Sequence, residues 1–158
     1  MRKGSSCATA PKPGEGRRGV DGHIGYLLRQ AAAAYRIRLE RALTPLGVTP
    51  PQFSILMMLK SYPGCSNADI ARIALLTPPT VTVIVRNLEK SGLVTKRAHA
   101  EHGRIQHIDL TIKGRQLLAE CRVKAVEIEK ELLSKLSVRE EKVVKRWLVE
   151  LAMEVQAD

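Results

Sequence analysis

A mainly α-helical fold with a single small β-hairpin is predicted by three observations. The 158-residue chain is 44% hydrophobic but only 3% aromatic, a composition typical of packed Leu, Ile, Val and Ala helices. Its apolar residues recur at steps of three and four, with Pro and Gly at the breaks. Only the stretch from Leu93 to Leu110 departs, where two short segments flank a tip, Ala100–Arg104, that contains Gly103.

Taken in order, residues 1–19 are rich in Gly, Pro, Ser, Lys and Arg and are expected to be a disordered basic tail. The spacing of Ile24, Leu28, Ala31, Tyr35, Leu39 and Ala42 predicts a helix from about Asp21 to Leu43, broken by Thr44-Pro45-Leu46-Gly47. A second helix opens at Pro50 and Pro51, carries Phe53, Leu56 and Met57, and stops before Tyr62-Pro63-Gly64. Ser66 followed three residues on by Asp69 resembles a capping box and starts a third. Thr77 is expected to cap a fourth helix, Pro78–Ser91, which Gly92 ends. Strands near Leu93–Arg97 and Ile105–Leu110 follow. A long helix then runs from Thr111 to about Ser134 with Leu118, Cys121, Ala125, Ile128 and Leu132 on one stripe. Ser137, with Glu140 three residues later, opens the last helix, striped by Val144, Trp147, Leu148, Leu151 and Val155.

Short helix, tight turn, second helix and hairpin form the order of a winged helix-turn-helix, which lays one helix in the DNA major groove. On the Pro78–Ser91 helix, Val81, Ile84, Val85 and Leu88 form the stripe that must be buried. The opposite face holds Pro79, Val83, Arg86 and Lys90, flanked by Thr80 and Thr82. Hydroxyls and cations there suit phosphates and base edges, and Val83 suits a thymine methyl. Ser66 and Asn67 at the start of the preceding helix, and Arg97 and Arg104 in the hairpin, complete the expected DNA-binding set. The bland alternative is a solvated amphipathic helix beside a solvated hairpin.

The net charge of +10 is unevenly placed. Residues 50–115 carry nine basic and four acidic side chains and residues 1–19 five and one, whereas residues 116–158 carry eight and nine. A polyanion-binding module on a neutral scaffold fits that distribution. The tail lacks the apolar run of a signal peptide, and no stretch approaches the ~20 apolar residues of a membrane span. Three cysteines do not suggest a disulfide framework, so a cytoplasmic location is expected. The outer helices, about 20–43 and 112–156, display apolar stripes that the winged lobe, about 50–111, does not need. The economical partner for them is a second copy of the chain, giving a homodimer on a two-fold symmetric site. The whole of 20–158 is read as one such domain.

From about Ile24 to Val155 the sequence resembles the MarR family of bacterial transcription regulators. The resemblance rests on Leu46-Gly47-Val48-Thr49 with Gln52, Ser66-Asn67-Ala68-Asp69-Ile70-Ala71, and Val81-Thr82 through Asn87-Leu88-Glu89-Lys90-Ser91-Gly92-Leu93-Val94. Arg104 and Leu110-Thr111-Ile112-Lys113-Gly114 complete it. It implies a homodimeric winged-helix repressor of transcription that releases DNA when a small molecule binds. The chain departs from the family pattern at His102, where an Asp commonly stands two residues before the wing-tip Arg. It departs again at Val83, where some members place an Arg for base contact.

Relatives that sense peroxides do so through a Cys whose place here is Gly25, which disfavours redox sensing. His99, His102 and His107 lie in the hairpin and make a poor case for zinc. No phosphate loop or nucleophile motif points to an enzyme, and no cofactor is expected. An organic effector remains, bound in the family between the first helix, the dimer helices and the DNA-binding lobe. Tyr26, Gln30, Phe53 and Met57 are the expected lining, with Phe53 and Met57 alternatively plain core. Arg29, Arg36, Arg38 and Arg41 on the first helix suit a phosphate-bearing tail, which favours an acyl-CoA thioester. A small aromatic carboxylate is the runner-up. A ligand-independent architectural DNA-binding protein and an acyl-CoA-handling enzyme are the alternatives from other classes.

Overall fold

The computed structural model describes residues 12–98 and 106–154. In chain order the elements are α1 (Ile24–Leu43), α2 (Pro50–Ser61), α3 (Asn67–Ala74), α4 (Pro78–Lys90), β1 (Val94–Ala98), β2 (Gln106–Leu110), α5 (Ile112–Leu133) and α6 (Val138–Glu154). Two short 3-10 turns, Gly16–Arg18 and Thr44–Leu46, precede α1 and α2 respectively. No single helix among the described residues is long and apolar enough to cross a membrane. The chain divides into two compact units, Met1–Arg38 and Leu39–Asp158, with α1 continuing across the boundary.

In the first unit, residues 12–19 form a series of tight turns. Gly14 donates to Arg18 O at 3.1 Å, Gly19 to Gly16 O at 2.8 Å and Gly22 to Gly19 O at 3.0 Å. Gly14 and Gly16 adopt the left-handed backbone that makes these turns possible, at φ 95° and 52°. The expectation for residues 1–11 lies outside the described residues.

The second unit holds one core. Leu39, Leu43, Ile55, Leu56, Leu59, Ile70, Val81, Val85, Leu88, Ile108, Leu118 and Cys121 are buried in one cluster. Its helices begin where side chains can satisfy the first backbone N–H groups. Thr49 and Gln52 cap α2 reciprocally, Ser66 and Asp69 do so for α3, and Thr111 accepts from Gly114 N at 2.9 Å to start α5. At the start of α6, Glu140 accepts from Ser137 N at 2.8 Å and returns its own N–H to Ser137 Oγ. Thr77 differs from expectation. Its hydroxyl pairs with the Thr80 hydroxyl at 2.8 Å and makes no bond to a backbone N–H of the first turn.

The strands pair antiparallel, Val94 opposite Leu110 and Arg97 opposite His107. Cys65 adds an isolated bridge, its carbonyl accepting from Ile108 N at 3.1 Å.

One expectation about α5 is corrected. Leu118, Cys121 and Ile128 do not await a second subunit: they are buried in the chain's own core, because the winged lobe needs α5 to cover α2 and the hairpin. The unpartnered face of α5 is the next one round. There, Val123 and Val126 are exposed, and Ala119, Arg122, Glu127 and Lys130 complete a groove of about 410 Å³. In α6, Val144, Trp147 and Leu148 remain partly exposed.

Candidate nucleic-acid interface

The interface is built on the angle between α3 and α4. The chain bends by 114° across Leu75, Leu76 and Thr77, within the ~90–120° of a helix-turn-helix. Leu75 closes α3 in the left-handed conformation, φ 52°, and is the only non-Gly residue with positive φ among the described residues. Beyond that turn α4 presents two faces. Val81, Val85 and Leu88 are buried and Ile84 is half-buried; Pro79, Thr80, Thr82, Val83, Arg86 and Lys90 are exposed, all as the periodicity requires. Val83 is 56% exposed despite being apolar. Arg86 and Lys90 have no hydrogen-bond or ion-pair partner among the described residues. Asn87, which sequence reasoning used only as a family mark, is exposed beside Val83. An exposed side chain with both a donor and an acceptor, one turn from Val83, was the signal for it.

Other expected contacts are already engaged. Ser66 is committed to its cap: its hydroxyl donates to Asp69 Oδ2 at 2.7 Å and accepts from Asp69 N at 3.2 Å. Those hydrogen bonds, reinforced by Arg72 and His107, hold the Asp69 carboxyl below its ordinary value. Asn67, at the first position of α3, is half-buried, and its Oδ1 is enclosed without a hydrogen-bond donor. The Thr82 hydroxyl donates back to Pro78 O at 2.9 Å. Arg97 is exposed but held: its Nε donates to Asp109 Oδ2 at 2.9 Å and Nη2 bonds the same oxygen, so Asp109 fixes the plane of the fork. Arg104, His99 and His102 lie outside the described residues.

The reading helix is tied at its far end. Lys96 Nζ sits 2.6 Å from Glu89 Oε2, linking β1 to α4. Lys113 Nζ donates to Ser91 O at 2.9 Å, a cation on the carbonyl end of α4. Thr111 Oγ1 donates to Gly92 O at 2.7 Å. At Gly114 the approach leaves no room for a side chain, since a Cβ there would lie 2.0 Å from Leu93 O. The start of α5 and the end of α4 are therefore packed and bonded together. On the other flank, His107 Nδ1 bonds Gly64 O, joining β2 to the loop before α3.

The residues expected to line an effector site fall in both units. In the first, the Arg29 guanidinium lies 5.4 Å from the Tyr26 ring centroid, a cation–π contact, and Gln30 borders a pocket of about 370 Å³ with Pro13, Arg18 and Ala34. Arg36 and Arg38 are each engaged by neighbouring groups. In the second, Phe53 and Met57 share a surface pocket of about 260 Å³ with Ser54, Met58, Ser61 and Tyr62. Phe53 is at the same time core, at 8% exposure. Tyr62 and Met58 were not foreseen, because they sit on a face whose partner no periodicity identifies. Burial, and then the Asp69 carboxylate, push the Cys65 thiol above its ordinary value; burial and Glu120 do the same for Cys121. Neither has the lowered pKa of a sensor thiol. No cluster of three metal-binding side chains occurs among the described residues.

The family model described as "MarR family" matches residues 46–105. The HTH-type transcriptional repressor Rv2887 of Mycobacterium tuberculosis is 38% identical over 133 residues, which are 83% of this chain and 94% of that protein. This chain is a member of the MarR family. Solved members share its fold. The crystal structure of M. tuberculosis Rv2887 in complex with salicylic acid is 35% identical at a TM-score of 0.66, covering 84% of this chain and 98% of that one. The S. aureus MepR–DNA complex is 28% identical at a TM-score of 0.78, with the same coverages. Family membership makes this MarR protein a transcriptional regulator of the winged-helix type.

Proposed function

We propose that this MarR-family chain is a repressor that binds a palindromic DNA operator as a homodimer and leaves it when a small organic acid binds. The observation that carries the reading is the outer face of α4, where Arg86 and Lys90 stand without partners among the described residues, around Val83 and Pro79 on a helix set at 114° to α3. A helix so placed and so charged fits the major groove, with Arg97 of the hairpin beside it for the DNA backbone or minor groove. MepR has been solved with DNA and is similar in fold over most of this chain. The homodimer is supported by the open apolar faces of α5 and α6, which a second copy would cover.

For the effector, two observations point the same way. The α2 pocket holds about 260 Å³, just under the ~300–1,000 Å³ of pockets that enclose drug-sized ligands, and is walled by Phe53, Tyr62, Met57 and Met58. One aromatic ring suits it better than a CoA. A 35%-identical relative has been solved with salicylic acid. A small aromatic carboxylate therefore takes precedence over the acyl-CoA thioester. The thioester stays as the second reading because of Arg29, Arg36, Arg38 and Arg41 along α1.

The test starts from an operator selected out of random duplexes by the full-length protein. A footprint should cover one short palindrome; broad protection of unrelated DNA would indicate an architectural protein instead. Titrating the complex with salicylate, a CoA thioester and its free acid should release DNA with salicylate, the thioester being no more potent than its acid. Release by the thioester alone would reverse the order of the two effectors.

A further inference from the structure

We propose that Val83 is a specificity-determining residue that reads the 5-methyl group of one thymine in each operator half-site. The inference rests on the operator reading above and adds what that operator must contain. Val83 stands at the centre of the outward face of α4, 56% exposed, with the buried Val81, Val85 and Leu88 on the far side of the helix. Pro79 lies one turn before it and is exposed, so the middle of the face is an apolar strip. Arg86, Asn87 and Lys90 are exposed around the strip.

The hydroxyls that flank Val83 do not compete for the same place. Thr77 and Thr80 are bonded to one another at 2.8 Å, and Thr82 donates to Pro78 O at 2.9 Å. In the major groove the thymine methyl is the one apolar feature that a base pair offers, so an apolar side chain at the centre of a reading face has a single matching mark. Valine is suited to it because a β-branched side chain in a helix holds one rotamer, so docking its methyls loses little conformational freedom. Asn87, one turn further along, sets the register by hydrogen bonds to an adenine edge, with Arg86 beside it on a base edge or a phosphate.

The test uses the full-length protein and an operator selected from random duplexes. Each thymine is replaced in turn by uracil, which removes the methyl and keeps every hydrogen-bonding edge. Wild type should lose affinity at one thymine per half-site, by about fourfold, the factor for one methyl group taken out of water. V83A should bind the thymine operator about that much more weakly and show no further loss on uracil at that position. Alanine on this exposed face favours the helix, so folding is not at stake. Failure to enrich any sequence would overturn the operator reading and this inference with it. An operator in which no thymine responds to loss of its methyl, or in which wild type and V83A respond alike, would overturn this inference alone.

Discussion

On α4 the cations Arg86 and Lys90 stand on an exposed face without partners among the described residues. On α1, Arg29 lies over the Tyr26 ring, and Arg36 and Arg38 are each engaged by neighbouring groups. In the amino-acid sequence the two helices look alike: both are amphipathic and both carry arginine away from the apolar stripe. What separates them is the geometry around the charge. The α4 face lies beyond a 114° bend and is backed by a buried stripe and a tied C-terminus, so its charges point at an external surface. Three of the four α1 arginines, Arg29, Arg36 and Arg38, already interact within the chain, which lowers what those three would gain from a phosphate-bearing ligand.

The largest effect that sharpens this comparison is at the joint holding α4. Gly114→Ala forces a Cβ toward Leu93 O and should destabilise the protein by about 1–3 kcal/mol. Thermal unfolding and operator affinity should fall together, since the joint positions α4. Unchanged unfolding would mean that α4 and α5 are not rigidly coupled. Next come the α1 arginines. Arg36→Ala with Arg38→Ala should alter operator affinity by less than about 0.5 kcal/mol, as for surface changes away from the contact. A loss as large as that from an α4 cation would erase the contrast between the two helices.

Asp109→Asn should weaken the operator complex only while Arg97 is present. A double-mutant cycle with Arg97→Ala would then show coupling of about 0.5–1 kcal/mol, and simple additivity would show that Asp109 does not aim Arg97. Leu75→Gly should stabilise the fold slightly, by about 0.5 kcal/mol, because relief of the left-handed strain exceeds the chain entropy that glycine adds. The smallest effect is one of pH. The Asp69 carboxyl is depressed in the folded protein, so its contribution is complete above the ordinary value of 3.8 and is lost as pH falls through the lower folded value. Ser66→Ala should therefore narrow the stability gap between neutral and strongly acid solution, and acid unfolding curves would show it.

Much of the reading head was legible because its signals are local. The α4 faces follow from a 3.6-residue period, and the starts of α3 and α6 follow from Ser66–Asp69 and Ser137–Glu140 three residues apart. What was hidden depends on pairings distant in the chain. Arg97 meets Asp109 only through the hairpin register, twelve residues on. Ser66 was expected at the DNA, and its hydroxyl also makes the cap to Asp69 that the sequence announced. The stripe on α5 was visible, but a stripe does not say what covers it, and here the chain's own core does. Leu75 gave no sign of its left-handed backbone, because neither Gly nor Asn marks the turn. The expected effector lining was least legible of all, since Phe53 belongs to core and pocket together.

The central claim is that the outer face of α4 is where this protein meets DNA. It is tested most directly by measuring the affinity of wild type and Arg86→Ala for the selected operator and for random duplex across a range of salt concentrations. A loss of about 1–3 kcal/mol on the operator is expected if Arg86 grips a base, with relaxed preference over random DNA. If it grips a phosphate, the salt slope should instead fall by about one unit, with similar weakening on both duplexes. An Arg86→Ala protein that matches wild type on both duplexes at every salt concentration would contradict it.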